Sequence, residues 1–263
     1  MSNNKPLFSI ATPCWNSADT IERTIKSVLA QEFKDYEYII VDGGSTDGTL
    51  DIIKKYEPLF EGRMKWKSEP DKGLYDAFNK GVERSIGIYC WNVNADDYIE
   101  PEALANMADF ITRNNWGDEP PVISGILNFV SRDGQKVISQ FKSTPEYMEE
   151  CYKKDHIGLP HPATLVPKKV YEQYGAFDTF YRICGDADWF HRVYSAGVQF
   201  DFVNFVISNM SDGGVSNAFN FKKSLRDRLH YLNKYYPNPL EKYWRLIHWI
   251  MSFYKQKIEH KLQ

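Results

Sequence analysis

Short apolar runs alternate with amphipathic stretches along the first 111 residues, and that alternation leaves few folds open. Residues 7–11 form one strand pattern, 38–41 a second, 64–68 a third and 86–93 a fourth. Between them Ile21, Ile25, Val28 and Leu29 recur at helical spacing, as do Leu50, Ile53 and Tyr56, then Leu74, Ala77, Phe78 and Val82. Asp19 with Glu22 reads as a capping box for the first of these helices, and Thr46 or Asp47 as the opening of the second. A fourth helix opens at Pro101, with Leu104, Met107, Ala108 and Ile111 on its apolar face. Strands joined by such helices are βαβ units, which demand a largely parallel sheet. Ligands bind those sheets beyond the carboxyl ends of the strands. Three of these ends carry polar clusters, at residues 12–16, 42–45 and 94–97.

The second half is less regular. Residues 122–130 and 136–141 flank Ser131-Arg132-Asp133-Gly134, a hairpin signal. Helical patterns follow at 145–152, 168–174 and 186–196, then a strand rich in Phe and Val at 199–207. Long helical patterns cover 219–235 and 240–262. A hydrophobic share of 43% and a charged share of 25% are those of a globular protein, not of a disordered or fibrous one. The net charge of −3 leaves no electrostatic footprint for nucleic acid. Cys14, Cys90, Cys151 and Cys184 show neither CxxC spacing nor a histidine cluster, so a zinc site is not expected. Residues 1–6 are polar, and no run approaches ~18 apolar residues. The expectation is a reduced, cytoplasmic chain that does not span a membrane.

The polar clusters carry recognisable chemistry. Adjacent carboxylates at Asp96-Asp97 repel unless a cation or donors compensate them, and carboxylate plus diphosphate oxygens suit Mg²⁺ or Mn²⁺. An ordinary helix-capping turn is the alternative. Asp42-Gly43-Gly44-Ser45 follows a strand, where a carboxylate can accept from a base or ribose and glycine permits close approach. Asp71 and Lys72 sit in a charged loop, with Lys72 suited to phosphate. Asp186 and Asp188 lie beside Trp189 and Phe190, and two residues apart on a helix they cannot share a face. A carboxylate among apolar rings holds a proton more readily, which suits a general base. His161 stands between two prolines, where a structural role is the usual one. Residues 212–216, Asp-Gly-Gly-Val-Ser, form a polar loop able to close over an anion.

Taken in order, Thr-Pro-x-Trp-Asn, Val-Asp-Gly-Gly-Ser-Thr-Asp-Gly-Thr, Glu-Pro-Asp-Lys-Gly-Leu-Tyr-Asp-Ala-Phe-Asn-Lys-Gly and Asn-Ala-Asp-Asp resemble the family 2 glycosyltransferases. These are inverting enzymes of the GT-A fold, and the likeness is to members that build bacterial O-antigen, capsule and exopolysaccharide. It is strong over residues 6–101 and weaker through His161-Pro-Ala-Thr, Gly185-Asp-Ala-Asp-Trp-Phe and Gly213-Gly-Val-Ser. The resemblance implies an α/β GT-A domain over residues 1–218, with a nucleotide-sugar half (1–118) and an acceptor half (119–218), and a basic helical tail at 219–263. Pro13 and Asn16 would line the nucleotide pocket, Asp42 and Ser45 the uracil, Asp71 and Lys72 the base and phosphate side. Asp96 would approach the ribose or sugar, and Asp97 would hold Mn²⁺ or Mg²⁺. Asp186 matches the general base, with Asp188 its rival near the acceptor, and Gly214 and Ser216 belong to a loop over the diphosphate. Many members have Asp at the place of Asn94, Glu at that of Gly185 and Gln at that of Pro162. The implied partners are a UDP-hexose or UDP-N-acetylhexosamine and a glycan or lipid-linked acceptor.

Two other classes stay in view. A sugar-phosphate nucleotidyltransferase would want a Gly-rich basic loop where Thr12–Asn16 stands, and a non-catalytic nucleotide-sugar-binding subunit would not need Asp96, Asp97 and Asp186 together. Residues 219–263 hold ten Lys/Arg against three Asp/Glu, net +7, leaving −10 for the remainder. Within 239–262 apolar residues recur at three- and four-residue steps among Lys and Arg, as in a helix lying on an anionic membrane surface. Packing on the domain, or on a second copy in a homodimer, is the alternative.

Overall fold

The computed structural model describes residues 5–155, 158–213 and 221–262, with side chains described as far as Lys255. Gly214 and Ser216 lie outside the described residues. Strands β1 (Phe8–Cys14), β2 (Tyr36–Asp42), β3 (Met64–Ser68) and β4 (Tyr89–Asn92) run parallel in the order β3-β2-β1-β4. Helices α1 (Ile21–Leu29), α2 (Thr49–Tyr56) and α3 (Leu74–Arg84) make the crossovers. A two-residue strand β5 (Tyr98–Ile99) and helix α4 (Ala103–Asn114) lead into β6 (Val122–Val130), which turns back as β7 (Val137–Phe141). Helix α5 (Pro145–Lys153), β8 (Thr164–Pro167), α6 (Lys168–Tyr174), α7 (Gly185–Ser195) and β9 (Phe200–Ser211) follow, then α8 (Phe221–Tyr235) and α9 (Pro239–Leu262). Antiparallel β8 joins β4 to β6, and β9 pairs parallel with β6 and antiparallel with β5. Both halves of the chain thus share one nine-stranded sheet.

Alternation along the strands explains the two-sided core. Phe8, Ile10, Tyr89 and Trp91 face α1, α2 and α4, where Ile21, Ile25, Ile53, Leu104 and Met107 meet them. The opposite face of β4 and β8 presents Cys90 and Val166 to Phe78 of α3, Val170 of α6, Trp189 of α7 and Leu232 of α8. Since α8 contributes Tyr231 and Leu232 to that core, the basic segment does not stand apart from the sheet domain. The expected capping box is not formed: no side chain caps α1. Glu22 instead accepts from the Tyr56 hydroxyl at 2.7 Å and Lys55 at 2.9 Å, pinning α1 to α2.

A buried acid fastens the last two helices. Asp155 accepts from Arg228 at 2.9 Å, from Arg245 at 2.7 Å and from the Tyr236 hydroxyl. Replacing it with alanine strands two guanidinium groups in a poorly solvated place. Asp155→Ala is expected to cost about 3 kcal/mol in urea unfolding; a loss under about 0.5 kcal/mol, the size of an ordinary surface change, would contradict the clamp.

Candidate active site

Two cavities of about 410 and 400 Å³ adjoin at the carboxyl ends of β1 and β4, and Leu74, Asn94 and Met210 line both. The first is walled by Pro13, Trp15 and Asn16 after β1, by Asp71 after β3, and by Asp96 and Asp97 after β4. The second takes Tyr75 and Phe78 from α3, Phe129 and Phe141 from the β6–β7 hairpin, His161, and Asp186 from the first turn of α7. The clusters at 12–16 and 94–97 therefore do converge on one cavity, the 42–45 cluster lines neither, and Asp186 arrives from a distant segment.

Asp97 is 1% exposed. One of its oxygens accepts from the Ser211 amide at 3.1 Å and the other from the Asn94 side-chain amide at 2.9 Å. Burial, and then the charge of Asp96, pushes its carboxyl well above the usual range. Burial pushes Asp96 the same way, and the Arg23 guanidinium only partly opposes it. Asn94 Oδ1 is buried with no hydrogen-bond partner, among the described residues. A pair of under-compensated carboxylates beside an orphaned amide oxygen fits a hard divalent cation, which takes few protein ligands and completes its shell with phosphate and water. The described residues hold no cluster of three or more His, Cys, Asp or Glu, so a metal cage made by such side chains alone is absent among them.

Asp42 departs from its expected place. It is fully buried, and its carboxylate accepts from the amides of Gly44 and Ser45 at 3.0 Å each, from Ser68 at 2.6 Å and from the Ser45 hydroxyl. Burial alone would raise its carboxyl, but these hydroxyls and amides outweigh it and hold it below the usual range. With its lone pairs consumed, Asp42 shapes the loop from behind. Ser45 is part of that shaping, since its hydroxyl accepts from the Asn16 amide at 2.7 Å. Asp71 is placed differently. One oxygen accepts from Gly73 at 2.8 Å, and the other occupies the space a Cβ on Gly43 would fill. Only glycine at 43 lets that carboxylate reach the cavity wall.

Lys72 also departs from expectation: its side chain is exposed and lines neither cavity, while its carbonyl accepts from Arg182 at 2.5 Å. Asp188 is not brought to the site. It is buried on the far side of α7, held by Tyr181 at 2.9 Å, Lys234 at 2.9 Å and Tyr235 at 3.1 Å. Two helical steps separate the directions of Asp186 and Asp188 by about 200°, so one enters the cavity and the other anchors α8. Asp186 accepts from the Tyr75 hydroxyl at 3.1 Å and the Ala187 amide at 2.9 Å. Gly185 makes this possible, because a Cβ there would stand 2.8 Å from the Tyr75 ring. His161 packs against Phe78 with ring centroids 4.6 Å apart and planes tilted by 45°, and burial lowers its basicity.

Several contributors carried no readable signal. Arg23 of α1 donates to the Asp96 carbonyl at 2.7 Å and the Ser211 hydroxyl at 2.5 Å, joining the carboxylate turn to the end of β9. Asp227 of α8 is buried and accepts from three successive amides, Arg182, Ile183 and Cys184, at 2.8–3.3 Å. It thereby fixes the loop that delivers Asp186. Trp15, 65% exposed at the cavity rim, stands in the Thr-Pro-x-Trp-Asn motif, which by itself assigns it no role.

The Asp42 arrangement makes a pH prediction. A carboxyl whose folded value is depressed contributes stability above its unfolded value, about 3.9, and loses it as pH falls through the lower folded value. Asp42→Ala is expected to lose about 2–4 kcal/mol at pH 7. Its deficit against the parent should shrink below about pH 3.5. Urea unfolding across pH 2–7 checks this, and a pH-independent difference would count against it.

The comparisons agree with this geometry. The glycosyl transferase family 2 model matches residues 9–175. A PGL/p-HBAD biosynthesis glycosyltransferase of Mycobacterium bovis is 28% identical over 229 residues, 84% of this chain and 83% of the relative. TuaG of Bacillus subtilis, named for teichuronic acid biosynthesis, is 40% identical over 111 residues, 42% of this chain and 44% of its own. Among solved structures, S. aureus TarS 1–349 in complex with UDP-GlcNAc superposes with a TM-score of 0.66 at 19% identity, over 90% of this chain and 69% of that one. The mannosyltransferase PcManGT from Pyrobaculum calidifontis, in complex with GDP-Man and Mn²⁺, gives 0.63 at 15%, over 90% and 66%. At such identities these structures speak for the fold, and the family model, matching well over half of the chain, shows that the chain belongs to glycosyl transferase family 2.

Proposed function

We propose that this glycosyltransferase moves a sugar from a UDP-sugar to a hydroxyl of a surface-glycan or lipid-linked acceptor, with inversion at the anomeric carbon. The observation that carries the reading is the pair of adjoining cavities, one ending in Asp96-Asp97 and the other in Asp186. The donor lies in the first, its base over Trp15 and within reach of Asp71, its diphosphate toward Asp97. Asp97 and Asp96, with the Asn94 oxygen nearby, would hold Mn²⁺ or Mg²⁺, which when bound neutralises charge on the diphosphate. The acceptor enters the second cavity. Asp186 takes the proton of its hydroxyl, the freed oxygen bonds to the anomeric carbon, and the carbon–oxygen bond to the diphosphate breaks. The electron pair leaves with UDP. One displacement from the opposite face inverts the centre, and positioning supplies much of the rate. TuaG's name supports a bacterial surface polysaccharide as the product class, and the TarS complex supports a UDP-N-acetylhexosamine among the candidate donors.

Asp186→Asn is expected to lower transfer by about 10³-fold while UDP affinity stays within about twofold. Unchanged turnover would overturn the assignment of the base. Asp97→Ala is expected to weaken UDP binding in Mn²⁺ by about 10- to 100-fold, read by calorimetry; equal affinity would remove the metal from Asp97. A thermal-shift screen of UDP- and GDP-sugars with Mn²⁺ selects the donor, since a bound donor stabilises the fold.

The base reading has its own check. The uracil imide N–H needs an acceptor, and Asp71 offers one where Asp42 is spent. The native protein is expected to bind UDP about tenfold tighter than its N3-methyl derivative. Asp71→Ala and Gly43→Ala should both erase that preference. Retained discrimination in both variants would place the base elsewhere.

A further inference from the structure

Helix α9 has two apolar faces, and the protein covers only one. Inward, Leu246 packs on the second core, Arg245 reaches Asp155, and Trp249 and Phe253 meet Phe221 of α8 at 6.2 and 5.4 Å. Outward, Leu240, Tyr243, Trp244, Ile247, Met251 and Tyr254 are 48–82% exposed. Steps of four, three, four and three residues from Leu240 to Tyr254 keep this row on one side for about 21 Å. A continuous exposed apolar row of that size marks an interaction surface.

We propose that this row docks the enzyme on an anionic phospholipid bilayer. Charge decides between the occupants. The segment 219–263 carries net +7 on a body of −10, and with Arg228, Lys234 and Arg245 set aside for Asp155 and Asp188 its other cations still outnumber its three acids by four. A second copy pressed against the row would bring the same positive segment with it, whereas anionic headgroups complement it. The acidic remainder is repelled by the same lipid, so attachment is oriented. Tyr243, Trp244 and Tyr254 are the amphipathic ring types that settle at the bilayer–water boundary. The helix lies in the interface and does not cross it: no helix among the described residues is long and apolar enough to span a membrane.

The test uses the full chain and no enzyme assay, so its outcome is separate from the transferase reading. The native protein is expected to co-sediment with phosphatidylcholine vesicles containing about one part in three phosphatidylglycerol, and much less with phosphatidylcholine alone or in high salt. Trp244→Glu/Ile247→Glu should reduce the bound fraction at least about tenfold at an unchanged melting temperature, both side chains being exposed. The proposal is overturned if the native protein stays in the supernatant with anionic vesicles, if it binds neutral vesicles equally well, or if the double variant pellets equally. It is also overturned if the native protein is a vesicle-indifferent dimer at sedimentation equilibrium that the double variant converts to monomer.

Discussion

A carboxylate taken out of water must be met by donors or cations, and the described residues bury six of them: Glu37, Asp42, Asp97, Asp155, Asp188 and Asp227. Five have been given structural work. Glu37 accepts from Ser9 at 2.6 Å and the Ile86 amide at 2.7 Å, which joins β1, β2 and the approach to β4. Asp42 gathers the loop after β2. Asp155 and Asp188 hold α8 and α9 against the sheet, and Asp227 collects three amides ahead of α7. Asp97 differs from these in having a second carboxylate beside it, while Asp227 keeps one buried oxygen, Oδ1, without a partner among the described residues. Asp97 itself has two neutral donors, that second carboxylate and a guanidinium at a distance, so its charge is left incompletely balanced. That imbalance is what the cation proposed for Asp97 would offset.

That constraint also explains why the two cavities stay in register. Arg23 bonds to the Asp96 carbonyl and to Ser211, so the turn after β4 and the end of β9 are fixed to each other. Asp227 reaches from α8 to the loop that presents Asp186. Asp186, the proposed base, is therefore positioned by a helix that sequence arithmetic assigns to a tail. Two glycines complete the fit by what they lack: Gly43 admits the Asp71 carboxylate and Gly185 admits the Tyr75 ring.

The parallel half of the fold was legible because its information is local. A βαβ unit announces itself through periodicity, and its strand ends point to the ligand without any knowledge of packing. The hairpin at Asp133-Gly134, the strand of β9 and the helices α7, α8 and α9 were readable for the same reason, with ends moved by a few residues. Asp97, Asp186 and Asp71 could be singled out because their types and order carry chemistry, and each lines one of the two cavities. What was not legible depends on direction and distance. Nothing in a string tells whether the Asp42 lone pairs are already spent, or that Lys72 points to solvent while its carbonyl is used. Arg23 and Asp227 act across 73 and 45 residues of chain, separations at which no local pattern exists.

The basic segment shows how a net charge can conceal two functions. Its +7 treats ten cations alike, yet the fold divides them. Arg228 and Arg245 go inward to Asp155, and Lys234 to Asp188, where they offset charges that would otherwise forbid burial. That share of the excess is structural and belongs with the −10 of the body. Lys222 stays at the surface of α8, and Lys242 near that of α9, the helix whose apolar row the protein does not cover. Arg245 ties α9, and Arg228 ties α8, to the same buried acid, and the residues of α9 that turn away from it form the exposed row. The ion pairs thus fix which face of α9 the protein covers and which it leaves open.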